Sequence, residues 1–372
     1  MKLLFLNGEF SHTIDVIKFL KKNIPELEIH IFVSKEIFFH KSIYVDFIHF
    51  ADNKEIIEQV FNLNNQFHFD WIIPVGYPEI EIFSRCKERL KNTFVVDTEV
   101  LSLCVYKEAT LNIASKLGIP IPKSMVINSL HLYKNAKIEF PVFIKSYRES
   151  GGGGVKGVAY NFKEYEKLCV KIFNFGDKPI VQEFIDSPYT FGVGFFAERG
   201  EMRQCFIHKE IYSIPPQGGS GILLENFYDQ KLLTYTERLL NHLKYSGIGL
   251  AEYKFCSKRK DYVLMEINSK FWASIAFALY CNPNILSVFQ RSAFKTSEIR
   301  NRKIKYIYMN RLITNFKYSP AKSINCLLRF LVSTSKKKIN IDISGLKYRL
   351  FRVRFFRPLV HVLFKNVIKS PH

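Results

Sequence analysis

The chain has 372 residues, 47% of them hydrophobic, enough apolar surface for a large core and for two or three domains. It holds no run of about 18 apolar residues, so no membrane-spanning helix is expected, and its seven scattered cysteines lack any Cys-x-x-Cys pair, which fits a reducing cytoplasm without a zinc site. The net charge of +20 is lopsided: from Glu298 to Lys369 there are 18 Lys/Arg against two acids, so the basicity belongs to the tail and the body has the balance of an ordinary cytosolic enzyme.

The first hundred residues alternate short apolar runs with helical patterns. "KLLFLN", "LEIHIFV", "WIIPVG" and "TFVVD" read as strands, and "HTIDVIKFLKK" reads as a helix between two of them. Such alternation argues for a parallel sheet flanked by helices. The opening "MKLLFLNGEF" is interrupted by Asn7 and Glu9 and reads as a first buried strand, not as a secretory signal. "YKEATLNIASKLGIPIP" then gives a helix stopped by Gly118 and Pro120.

"SYRESGGGGVKGVAY" follows the apolar strand "PVFIK". It contains Gly-x-Gly-x-x-Gly, but "GVAYNF" after it is β-branched and aromatic, so the helix that a dinucleotide fingerprint requires is absent. No Gly-Lys-Ser/Thr follows either, which excludes a Walker loop. What remains is a hairpin whose bare backbone N–H groups can close over phosphates, or else a plain surface loop. "PIVQEFI" is the next strand, "FGVGFFAE" another, and "LLTYTERLLNHLKY" a helix.

"LAEYKFCSKRKDYVLMEINSK" is the most informative stretch. With a turn centred on Arg259 it folds as a hairpin that sets Glu252 directly across from Glu266. Odd positions (Tyr253, Phe255, Val263, Met265, Ile267) face the core, and Glu252, Glu266, Asn268 and Lys270 share the other face. Like charges directly opposite destabilise a hairpin unless a cation sits between them. Two carboxylates and an amide oxygen suit Mg²⁺. The alternative is a solvated face whose acids pair with Lys254 and Lys270.

Taken in order, the strand-ending lysine, the glycine hairpin, the Gln-Glu strand and the acidic hairpin resemble the ATP-grasp superfamily, and within it the carboxylate–amine ligases, over roughly residues 70–290. The resemblance implies an α/β and α+β chain: a Rossmann-like domain over 1–103, a two-lobed ATP-grasp domain over 104–295 with its glycine-lid lobe near 125–188, and a basic C-terminal extension over 296–372. It implies ATP and Mg²⁺ (or Mn²⁺) as cofactors, with Lys107 and Lys145 on the nucleotide and Gly151, Gly152, Gly153 and Gly154 folding over its phosphates. Gln182, Glu183 and Phe184 would hold adenine, and Glu252, Glu266 and Asn268 the metal. Lys270 occupies the position where the family usually has arginine, and Lys209, with His208 beside it, would lie near the acceptor. Where many relatives carry a ribose-binding glutamate the chain has Tyr189 and Thr190, with Asp186 the nearest acid.

The reaction so implied joins a carboxylate to an amine through an acyl phosphate, releasing ADP and phosphate. The alternatives are a phosphotransferase or carbamoyl-phosphate-type enzyme on the same fold, or a degenerate nucleotide-binding protein at a membrane surface. The tail "SKKKINIDISGLKYRLFRVRFFRPLVHVLFKNVIK" interleaves cations with Phe, Leu and Val. That pattern fits an anionic membrane surface on the cytoplasmic side or a helical cap on the body, with nucleic acid or another polyanion as the lesser alternative.

Overall fold

The computed structural model describes residues 1–8, 10–34, 43–52, 55–129, 137–148, 154–214, 219–289, 303–316, 319–332 and 339–342. Three sheets organise them. The first is parallel, in the order β3-β2-β1-β4, from β1 (Lys2–Leu6), β2 (Glu28–Val33), β3 (Phe47–Phe50) and β4 (Trp71–Ile73). Leu3, Leu4, Phe5 and Leu6 are all fully buried, as expected of a strand covered on both faces. Helix α1 (Ser11–Asn23) covers one side and α2 (Ile56–Phe67) belongs to the crossover from β3 to β4. The 3-2-1-4 order is that of a Rossmann-like half. "TFVVD" does not become a full strand: only Thr93 bridges to Ile72, the middle residue of the short β4.

The small lobe is a four-stranded sheet ordered β5-β8-β6-β7, built from β5 (Ser124–Val126), β6 (Val142–Ser146), β7 (Lys156–Ala159) and β8 (Pro179–Glu183). Its helix α6 (Phe162–Asn174) starts at Asn161, whose side chain accepts from the Glu164 N–H at 3.0 Å while Glu164 accepts from the Tyr160 N–H at 2.8 Å. Two helix-end donors are thereby satisfied in the manner of a capping box. Tyr165, Cys169 and Ile172 on one stripe of α6 pack on Val142, Ile144, Ala159 and Val181 to make this lobe's own core.

The third sheet has seven strands ordered β13-β12-β9-β10-β11-β14-β15. They are β9 (Thr190–Glu198), β10 (Glu201–Ile214), β11 (Ser220–Asn226), β12 (Gly247–Cys256), β13 (Asp261–Asn268), β14 (Lys305–Tyr308) and β15 (Ile339–Asp342). Helix α7 (Gln230–Leu243) buries Leu232, Leu233, Thr236, Leu239, Leu240 and Leu243 against one face, with Asp229 capping its start. The other face is covered by α8 (Ile275–Cys281), whose Phe277 stands edge-on to Phe206. Helix α9 (Met309–Phe316) follows β14 directly, then α10 (Pro320–Val332) packs Cys326 and Phe330 beside Leu312. The boundary expected at 295/296 therefore cuts through a sheet, because β14 pairs with β11 inside the body. The remainder of the basic tail, 343–372, lies outside the described residues, and among those described no helix is long and apolar enough to cross a membrane.

Candidate active site

Two hairpins face each other across one cleft of about 270 Å³. The first is β6–β7, in which Lys145 lies directly across from Lys156. Its loop is the glycine run: Gly154 lines the cleft, while Gly151, Gly152 and Gly153 lie outside the described residues. Lys145, the next-to-last residue of β6, is 6% exposed. Its Nζ donates to Glu266 Oε2 at 3.0 Å and to the Met265 carbonyl at 3.3 Å.

The second hairpin is β12–β13. Its register sets Leu250 across from Asn268 and Glu252 across from Glu266. Beyond that pair a bulge shifts the register, so that Tyr253 faces Leu264 and Phe255 faces Tyr262. The even alternation expected along β13 is thus broken at Met265. Tyr262 and Leu264, with Ile267, join the main core, whereas Val263 and Met265 turn to a small cluster with Ile185 and Cys256. One extra residue in one strand re-aims everything on its far side, and the acidic pair lies on the near side.

The sheet carries this face onward in ordered rows. Glu266, Glu252, Gly192 and His208 stand side by side on four consecutive strands, and Lys254, Thr190 and Glu210 form the next row. Gly192 has a steric reason: a Cβ there would come within 2.5 Å of the His208 ring. Gly194 repeats it, since a Cβ would meet Trp272 at 2.4 Å. Both rings can therefore lie close against the sheet, and Trp272 forms part of the cleft wall.

Electrostatics separates the two glutamates. Burial, the neighbouring Glu266 and then Glu210 push the Glu252 carboxyl well above the usual carboxylate range. Burial acts on Glu266 too, but Lys145, Lys107 and Lys156 outweigh it and hold that carboxyl low. Asn268 is 7% exposed and donates through Nδ2 to Glu266 Oε1 at 3.3 Å, so its amide oxygen is not spent on that contact. Two carboxylates crowded on adjacent strands, one unable to hold its charge cheaply, with an amide oxygen beside them, are a donor set that fits a hard divalent cation.

The cleft gathers Lys107, Lys145, Gly154, Glu183, Phe184, Glu252, Glu266, Asn268 and Lys270 from the residues named by the sequence. Lys107 is buried at the start of α5 (Lys107–Lys116) and acts on Glu266. The Glu183 side chain is held by the Arg259 guanidinium and by the Lys123 N–H, 3.2 Å away. Lys270 stands 5.3 Å above the Tyr77 ring, which ties the cleft to the first domain.

Two residues fall elsewhere. Gln182 turns into the small lobe and donates to Ser124 Oγ at 3.0 Å, because successive side chains of a strand point to opposite faces. By the same alternation Lys209 stands on the sheet face opposite Glu210. It pairs with Glu225 at 3.3 Å and lies over the Tyr189 ring at 4.9 Å. His208, on the Glu210 face, is 2% exposed, and burial, assisted by Arg311, lowers its pKa to about 3. Asp186 is exposed and is not among the lining residues, whereas Thr190 is.

Sequence reasoning passed over Lys156, Glu210 and Arg311, all on the cleft wall. Glu210 was within reach, two residues after His208 on the same strand. Lys156 needed the hairpin register, and Arg311 lies in a segment expected outside the catalytic body.

No protein-family model matches the chain. A D-aspartate ligase from Enterococcus faecium (strain Aus0004) is 23% identical over 219 residues, covering 53% of this chain and 52% of that protein, so the chain spans about half of that relative. Among solved structures, an L-amino acid ligase from Bacillus licheniformis superposes with a TM-score of 0.64 at 15% identity, over 81% of this chain and 79% of that one. An N5-carboxyaminoimidazole ribonucleotide synthetase, solved as its ADP complex, does so at 0.65 and 12% identity, over 86% and 84%.

Proposed function

From a chain that has the ATP-grasp fold of the carboxylate–amine ligases, we propose that this protein uses ATP to join a carboxylate to an amine through an acyl phosphate. The observation that carries the reading is the opposition of the two hairpins, each of which sets like charges directly across from one another. Lys145 faces Lys156 on one, Glu252 faces Glu266 on the other, and the Lys145–Glu266 ion pair joins them. Each pairing costs stability in isolation. Both would become favourable with a polyphosphate held by the lysines and a divalent cation held by the glutamates.

In this reading Lys107, Lys145 and Lys156 neutralise the phosphates, and Glu183, Phe184 and Ile185 line the end that takes adenine. Glu252, Glu266 and Asn268 would hold Mg²⁺. When bound, the metal neutralises phosphate oxygens and eases transfer of the γ-phosphoryl group. The substrate carboxylate accepts that group, the amine nitrogen then attacks the acyl carbon, and phosphate leaves as the amide forms. Lys270 offsets negative charge at that carbon. The hairpin around Gly154 limits water, which would otherwise hydrolyse the acyl phosphate.

The test is phosphate release by the full chain with Mg·ATP, screened over pairs of acids and amines. Release that requires both an acid and an amine supports ligation. Release with the acid alone favours a phosphotransferase, and Mg·ATP binding without turnover under any pair favours a nucleotide-binding role.

A further inference from the structure

The cleft has a second end. Away from Glu183 and Phe184 its wall is made of Glu210, Ser220, Gly221, Lys270, Ser274 and Arg311. Arg311 comes from α9, so the chain beyond β14 contributes to the site. Its guanidinium is fixed: Nη1 donates to the Gly221 carbonyl, Nη2 to the Ala273 carbonyl, and the plane lies 4.1 Å over the Tyr308 ring. Two main-chain acceptors engage two of five N–H donors, which leaves a preset cationic edge. Lys270 adds a second positive charge there, since it and Arg311 both act on His12, where burial and these two cations lower the pKa to about 4. Lysine alone would be a point charge without the planar fork that matches a carboxylate.

Glu210 stands beside this cation. It accepts from the Gly221 N–H, and a Cβ on Gly221 would come within 2.6 Å of its Oε1. Around it are Arg311 from α9, Lys156 from β7, Glu252 from β12 and His208 on its own strand. A purely anionic ligand at this end would meet Glu210, and a purely cationic one would meet Arg311 and Lys270. A ligand carrying both charges a few bonds apart satisfies both.

Resting on the ligase reading above, we propose that Arg311 and Glu210 form the acceptor subsite for an α-amino acid, the guanidinium receiving its carboxylate and Glu210 its amino group. The chain's C-terminal segment thereby completes the active site. Specificity follows from the pair: an amine without a carboxylate loses the Arg311 contact, and an N-acylated amino acid loses the Glu210 contact.

The experiment uses the full chain loaded with Mg²⁺ and the β,γ-imido analogue of ATP. A panel of L- and D-α-amino acids is titrated in, alongside their decarboxylated amines and N-acetyl derivatives. Calorimetry reads affinity, and Trp272 fluorescence reports occupancy of this end. The expected result is that at least one amino acid binds while its amine and N-acetyl counterparts bind at least tenfold more weakly. Arg311→Lys, which keeps the charge, should raise the amino-acid Kd at least tenfold while moving the nucleotide Kd far less, and Glu210→Gln should do the same. Overturning results are unchanged amino-acid affinity in both variants, equal affinity for the decarboxylated amine, or no amino-acid binding by the nucleotide-loaded wild type. If the wild type does not take up the Mg·nucleotide at all, the ligase reading falls first and this subsite with it.

Discussion

The basic hairpin β6–β7 and the acidic hairpin β12–β13 are built on one plan and stabilised differently. Each sets like charges across a strand pair. The acidic one sits in the main sheet, where Tyr253, Leu264 and Ile267 bury its other face in the largest core. The basic one belongs to a lobe with a small core of its own, and Lys156 near its free end is exposed. The rigid hairpin can hold two glutamates in unfavourable proximity because packing over-determines it. The lighter hairpin rests on the core of its own lobe and not on that larger one. Under the proposed function the metal would be held on the heavily packed face and the phosphates on the lighter one.

Cutting the link between the hairpins should have the largest effect. Lys145→Ala leaves Glu266 partly buried without its ammonium, and breaking such a pair costs about 3–5 kcal/mol. Thermal unfolding should shift down clearly, and calorimetry should find no Mg·ATP binding. Glu266→Gln removes the opposite charge, and turnover should fall about 10²–10³-fold, the scale for losing one group that stabilises transition-state charge. Equal nucleotide affinity in wild type and both variants would separate this ion pair from the chemistry.

Next comes a pH effect confined to the acidic side. The folded pKa of Glu252 lies above its ordinary value of 4.5, and Glu210 is raised by burial to about 7. A carboxyl raised in the folded state favours folding when protonated, so its contribution is fully present below 4.5 and is lost as pH rises through the folded value. For Glu210 that window is about 4.5 to 7, and Glu252 acts in the same direction. The metal-free protein should therefore lose melting temperature as pH rises across the neutral range, with Mg²⁺ together with nucleotide restoring part of it. Glu252→Gln should flatten the slope, raise the metal-free melting temperature at pH 8 and abolish the response to Mg²⁺. A slope unchanged by that substitution would mean that Glu252 is ionised without a partner.

Much of this arrangement was legible from residues alone, and the two hairpins explain which parts. "SKRKD" marks a tight turn, so the pairing of Glu252 with Glu266 followed from counting, and the register bears it out. Counting failed one step later, because the bulge at Met265 leaves no mark in an apolar run that reads the same on either face. Four glycines give no fixed apex, so the pairing of Lys145 with Lys156 could not be counted at all. Lys209 follows from the family resemblance alone, and strand parity places Glu210, not its neighbour Lys209, on the cleft. Arg311 was hidden for a different reason: its neighbours Gly221 and Ala273 are 90 and 38 residues away, and only the addition of β14 to the sheet brings them together.

Lys156 should give a smaller effect than Lys145. It is exposed, so Lys156→Ala should leave thermal unfolding nearly unchanged. If it contributes one screened contact to a phosphate, Mg·ATP affinity should drop by about tenfold or less, roughly 1 kcal/mol. A loss as large as that of Lys145→Ala would mean that the small lobe closes further over the cleft than its present position requires.

The smallest effect is expected at Lys209, and it decides between resemblance and strand geometry. Its ammonium is held by Glu225 and the Tyr189 and Phe227 rings on the face away from the cleft. Lys209→Met keeps the aliphatic stem over both rings while removing the charge. Glu225 is 6% exposed and retains Lys305 at 4.0 Å, so stability should fall modestly, by about 1–2 kcal/mol. Phosphate release under saturating substrates should stay within twofold of the wild type. A fall of tenfold or more with an unchanged melting temperature would show that Lys209 reaches the acceptor after all, which would require β10 to reverse its faces between His208 and Glu210. The register with β9 runs without a break through those residues, so the geometry predicts the small effect.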